Sequence, residues 1–144
     1  MTGIAFHVNL SDRLAYACRL LRKAAAGGSR VVVTGPLPEL RALDAALWTF
    51  SSQDFVPHGL SGALSPAVLA RTPIVLATSA NGAPHRQVLV NLDESVPEGF
   101  EGFDRLIELV SGDEAALRQA RVRWKHYADR GYSPTKVDQK EVVA

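Results

Sequence analysis

Apolar positions along the chain alternate between two periods, and the switch between them defines the elements. Ile4-Ala5-Phe6-His7-Val8 has the period of a strand. After a turn at Asn9–Ser11, where Ser11 or Asp12 suits a helix cap, Leu14, Ala17, Cys18, Leu21 and Ala25 recur at helical spacing until Gly27-Gly28. Arg30–Thr34 (RVVVT) is a short continuous apolar run, the pattern of a strand covered on both faces. Leu40, Leu43, Ala46 and Leu47 then share one side of a helix predicted over Pro38–Trp48, with proline in its first turn. This β-α-β-α order predicts a parallel sheet covered by helices.

The second half of the chain is more broken. The helical pattern stops at Ser51-Ser52, and Phe55-Val56-Pro57-His58 reads as extended because the residue before a proline is pushed out of the α region. Leu60–Thr72 is a loop region with one helical turn at Pro66–Ala70. Ile74–Ala77 and Gln87–Leu92 are strands on either side of an Asn81-Gly82-Ala83-Pro84 turn. Pro97–Phe103 is a linker. Phe103–Val110 fits either a helix or a strand and is taken as a strand running up to Ser111-Gly112. Asp113 and Glu114 open a last helix that reaches about Arg130, with Gly131 as its terminator. Residues 1–134 are therefore expected to form one α/β domain with a Rossmann-like, mostly parallel sheet and helices on both faces, followed by a polar, frayed tail at 135–144. The predicted core includes Val32, Val33, Leu43, Leu47, Ile74, Val75, Leu89, Ile107 and Leu109.

Composition narrows the class. The chain has 144 residues, 47% of them hydrophobic, which suffices for one core and is not the make-up of a disordered chain. A single cysteine, Cys18, excludes an internal disulfide and is read as a small buried apolar residue. No apolar run nears the ~20 residues of a membrane span, and the start lacks a signal peptide's pattern, so a cytoplasmic protein is expected. A net charge of +1 argues against a protein whose main task is gripping nucleic acid. The charge is unevenly placed, however. Residues 93–114 carry eight acids and one base; residues 118–130 carry five bases (Arg118, Arg121, Arg123, Lys125, Arg130) and one acid, Asp129. The acidic stretch reads as a solvated face.

The search for catalytic chemistry returns little. There is no G-x-x-x-x-G-K-[ST], and Asn9-Leu10-Ser11 stands where a G-x-G-x-x-G would follow the first strand. Gly35-Pro36 follows the second strand, but proline removes an amide donor from any phosphate nest. His7, His58, His85 and His126 have no metal-ligand spacing to Cys, His, Asp or Glu. His58 reads as a residue that orients its loop through a hydrogen bond. No catalytic residue, metal or cofactor is assigned. The last helix is more informative. Leu117, Ala120, Trp124 and Tyr127 or Ala128 form an apolar stripe with Arg118, Arg121 and Lys125 along its flank. This is either an amphipathic helix with Trp124 in the core and its bases in water, or one wall of an apolar pocket rimmed by cations. The second arrangement suits a peptide ending in a hydrophobic side chain and a free carboxylate. Trp48 and Phe55 have a similar double reading, as core or as pocket wall.

Two unusual strings add a resemblance. Leu43-Asp44-x-Ala46-Leu47-Trp48 and Phe55-Val56-Pro57-His58-x-Leu60 resemble the signature of the chi subunit of bacterial DNA polymerase III holoenzyme. The likeness extends from the Ile4–Val8 strand through Gln87–Leu92 to the late basic helix and Tyr127-x-x-x-Gly131-Tyr132. It implies a non-catalytic accessory protein that binds the psi subunit of the clamp-loader assembly on one side and, on another, the acidic C-terminal tail of single-stranded DNA-binding protein, with DNA engaged only indirectly. The resemblance assigns tail binding to Arg121 and Lys125, with Trp124 where the family more often has tyrosine. It places Trp48 and Phe55 as aromatics beside that pocket, and Arg118 in the same region one position off the family's upstream base. The alternative is an enzyme, a small α/β nucleotide-binding hydrolase or transferase, against which the missing phosphate loop weighs.

Overall fold

A computed structural model describes residues 1–49 and 56–139. Its elements run β1 (Gly3–Leu10), α1 (Arg13–Ala26), β2 (Val31–Thr34), α2 (Leu37–Thr49), β3 (His58–Leu60), α3 (Pro66–Arg71), β4 (Ile74–Ala77), β5 (Val88–Asn91), β6 (Arg105–Ser111), α4 (Glu114–Asp129) and β7 (Thr135–Asp138). Among the described residues the strands form one seven-stranded sheet in the order β3-β4-β2-β5-β6-β1-β7, every pair parallel. The α/β fold and its parallel sheet match the sequence reading. The ambiguous Phe103–Val110 run is the strand β6. Ser51-Ser52 and Phe55 lie outside the described residues.

Alternation within the strands sends side chains to two cores. Val31 and Val33, Ile74 and Leu76, Val88 and Val90, and Ile107 and Leu109 join Leu21 of α1 and Leu40, Leu43 and Leu47 of α2 on one face. Ile4, Phe6, Val8, Val32, Leu89, Leu106 and Val110 join Ala120 and Tyr127 of α4 on the other. All nine predicted core residues are buried, as is Cys18.

Two departures from the sequence reading matter for the site. Thr135–Asp138 is not a frayed tail. It pairs in parallel with β1 from Ala5↔Thr135 to Val8↔Asp138 and forms an edge of the sheet, so the domain extends past 134. The sequence reading weighed this stretch by its polarity, whereas an edge strand carries polar residues without cost because one of its sides faces water. The second departure is in β1. Asn9 takes a left-handed backbone (φ 59), and the pairing of β1 with β6 shifts between His7 and Leu10. The strand thereby turns Leu10 to the α1–α2 face while its earlier even-numbered residues face α4.

Candidate functional site

The site is organised by α4. Asp113 caps it by accepting from Ala116 N at 3.1 Å, Glu114 complements the positive end, and Gly131 (φ 88) terminates it. At about 100° per residue, Ala116, Ala120, Arg123 and Tyr127 point at the sheet. Leu117 and Trp124 lie to one side, over β1, and Arg121 sits at the outer rim of that side. The Trp124 ring packs against Phe6 with centroids 5.1 Å apart. Between this flank and the β1–β7 edge lies a cavity of about 230 Å³, lined by Phe6, Val8, Asn9, Leu117, Ala120, Arg121, Trp124, Lys136 and Asp138. Its floor is apolar. Among the described residues its charges are Arg121, Lys136 and Asp138, the last accepting a hydrogen bond from Asn9 Nδ2 at 2.8 Å.

Of the residues named from sequence, Arg121 and Trp124 line this cavity. Arg118 and Lys125 do not line it. The helical repeat carries both to the side of α4 that faces away from the sheet, and Lys125 Nζ donates to Asp129 Oδ2 at 3.0 Å with its side chain 78% exposed. Trp48 is not brought to the site either. It ends α2, which packs on the opposite face of the sheet, and its ring lies 4.7 Å from that of His58 on the edge strand β3. With α2 at the β3–β4 side of one face and α4 at the β6–β1 side of the other, Trp48 does not stand beside this cavity, where the resemblance had placed it. Phe55, the other aromatic of that expectation, lies outside the described residues. His58 orients its segment: Nδ1 donates to the Val56 carbonyl at 2.5 Å, and Nε2 lies 3.1 Å from Asp44 Oδ1.

A buried polar cluster beneath α4 was not anticipated. Glu108 of β6, 0% exposed, accepts from Tyr127 Oη at 2.6 Å and from Asn91 Nδ2 at 2.8 Å. Arg123 Nε lies 3.2 Å from Glu108 Oε1, near enough to pair charges but off line for a hydrogen bond, and Arg123 Nη1 donates to the Glu94 carbonyl at 2.7 Å. Burial holds the Glu108 carboxyl above the usual glutamate range, against the downward pull of Arg123 and of the Tyr127 and Asn91 donors. Burial and the adjacent Glu108 push the Tyr127 hydroxyl upward. Glu108 is thus an exception to the solvated acidic stretch, and Arg123 is a base turned inward. The signal was a charge inside the apolar run Leu106-Ile107-Glu108-Leu109-Val110, which calls for a buried partner. Lys136 and Asp138 were missed because β7 was taken for tail; their i, i+2 spacing in Thr-Lys-Val-Asp is the strand signal.

Among the described residues no group of three His, Cys, Asp or Glu side chains is arranged to hold a metal, and no helix is long and apolar enough to cross a membrane.

Residues 1–135 match the family described as DNA polymerase III chi subunit, HolC. The chain belongs to the DNA polymerase III chi subunit family. It is 33% identical over 137 residues to DNA polymerase III subunit chi of Pseudomonas aeruginosa, covering 92% of this chain and 93% of that one. It is 32% identical over 120 residues to the subunit of the same name from Haemophilus influenzae, covering 81% of each. The Escherichia coli subunit is 25% identical over 118 residues. Solved structures similar in fold are T4 UvsW (TM-score 0.66, 12% identity, 95% of this chain and 42% of that one) and the C-terminal domain of the DEAD-box protein Dbp5 (TM-score 0.62, 15% identity, 97% and 91%). These last likenesses concern the fold alone.

Proposed function

We propose that the chain is a non-catalytic accessory subunit of the DNA polymerase III clamp-loader assembly and that it links the replicase to single-stranded DNA-binding protein during DNA replication. The tail of that protein would enter the cavity between α4 and the β1–β7 edge. The observation that carries the reading is the cavity itself: an apolar floor of Phe6, Val8, Leu117, Ala120 and Trp124 with the Arg121 guanidinium at its rim. Its volume of about 230 Å³ exceeds the ~150 Å³ that accepts a benzene-sized group, so one large apolar side chain fits. A guanidinium at the rim suits a carboxylate because it donates through a fixed fork. Mounting these groups on a capped helix and a sheet reduces the ordering cost of binding. Arg118 and Lys125, on the outer side of the same helix, would add to the positive field that draws in an acidic peptide.

The exposed Trp48, beside His58 at the far edge of the sheet and on its other face, is proposed for the second partner, the psi subunit. The two partners would then bind without competing. Calorimetric titration of a tail peptide tests the reading. Affinity should be micromolar, about −8 kcal/mol, and should fall with salt. Arg121→Ala should cost about 1.5–3 kcal/mol of binding with the fold intact, while Trp48→Ala should leave tail affinity unchanged. Unchanged affinity in Arg121→Ala would remove the site from α4.

A further inference from the structure

The cavity has a second cation in its wall, and it comes from β7. We infer that Lys136 takes a negative group of the bound tail opposite Arg121, the part that the resemblance assigned to Lys125. The inference rests on the tail-binding reading of this cavity.

The placement follows from register. In a parallel pair, residues opposite one another send their side chains to the same face. Lys136 pairs with Phe6, and Asp138 pairs with Val8. Phe6 and Val8 belong to the core under α4, so Lys136 and Asp138 also project to the α4 side and line the cavity. Lys136 therefore stands beside the ring that packs on Trp124, and Arg121 rises one helical turn before Trp124. Asp138 stands two residues further along the strand, about 7 Å away, where Asn9 holds its carboxylate. Arg121 stands on the helix wall of the cavity and Lys136 on the strand wall, with Asp138 two residues from Lys136 on the same wall. A negative group of the ligand lying between the helix and β7 would therefore meet a cation from each wall, Arg121 and Lys136. Lys125 offers nothing comparable, because it faces away from the sheet and is engaged by Asp129.

The experiment is a calorimetric series with one probe, a short synthetic peptide carrying an aspartate run and a C-terminal phenylalanine with a free carboxylate. The full chain is used as wild type, Arg121→Ala, Lys136→Ala, Lys136→Arg and Lys125→Ala, each checked for an unchanged melting curve. Lys136→Ala should weaken binding about three- to tenfold and flatten its salt dependence, because a partly screened charge contact is lost. Lys136→Arg should retain affinity within about twofold, and Lys125→Ala should lose less than about twofold. If Arg121→Ala weakens the peptide but Lys136→Ala does not, or if Lys125→Ala costs as much as Lys136→Ala, the inference is overturned and the site stands. If Arg121→Ala has no effect, or wild type does not bind, the tail reading fails and this inference with it.

Discussion

Tyr127→Phe isolates one hydrogen bond in the buried cluster under α4. The substitution removes a hydroxyl and leaves the ring, which packs against Phe6 and Phe100 with centroids 5.9 and 5.0 Å away. No cavity of consequence is created, so the large-to-small term is absent. What is lost is the 2.6 Å donor to Glu108 Oε2, an oxygen in a side chain with 0% exposure. A hydrogen bond to a charged group contributes about 1.5–3 kcal/mol, and that is the expected loss of stability at pH values where Glu108 is ionised. The pH dependence follows from the carboxyl. Its folded pKa is raised above that of the unfolded chain, so the stability Glu108 contributes is fully present below the ordinary glutamate range and is lost as pH rises through the folded value. The Tyr127 donor opposes that rise by favouring the ionised form. Without it the folded pKa moves higher still, so the variant's deficit is greatest above that value and shrinks as acid protonates Glu108. Urea unfolding of both proteins across the acid-to-neutral range measures this. A deficit below about 0.5 kcal/mol at every pH would show that the hydroxyl does not hold Glu108.

Two further outcomes are expected. Leu47, 2% exposed in the core between α2 and the sheet, should cost roughly 2–5 kcal/mol when changed to alanine, read by thermal or urea unfolding; a variant melting with wild type would show that its site relaxes without a cavity. Asp138→Asn keeps an acceptor for Asn9 while removing an acid from the cavity wall, and should tighten binding of an acidic tail peptide; weaker binding would mean that the ligand needs that carboxylate.

The sheet was legible because its strands are nearly pure apolar runs, such as Val31-Val32-Val33 and Ile74-Val75-Leu76, whose burial on both faces needs no knowledge of their neighbours. The helical stripe that carries Trp124 was legible for a similar reason. Periodicity gives angles around a helix, but not which angle meets the sheet. That ambiguity concealed the inward turn of Arg123 and the outward turn of Lys125. The relation of Trp48 to Trp124 was beyond a local pattern. It depends on which face each helix packs against, and so on strand order, and helices adjacent in an argument about aromatics lie on opposite sides of the sheet. β7 was missed because four residues with only one hydrophobic member resemble a tail until β1 is seen beside them.

The place of β1 has a kinetic consequence. It lies between β6 and β7, so Gly3 waits for Arg105 and Ala5 waits for Thr135 before either finds its neighbour. During synthesis the opening strand emerges early and has no hydrogen-bonding partner until most of the chain has been made. Contacts this distant in sequence slow the search for the native arrangement. The cavity proposed for the tail is completed by β7, a segment that follows α4 in the chain. A chain cut at Pro134 would keep six of the seven strands and α4, yet would lack Lys136 and Asp138 and one wall of the cavity. Competence to bind would therefore appear as a late, separate event in the life of each molecule, after the core has formed.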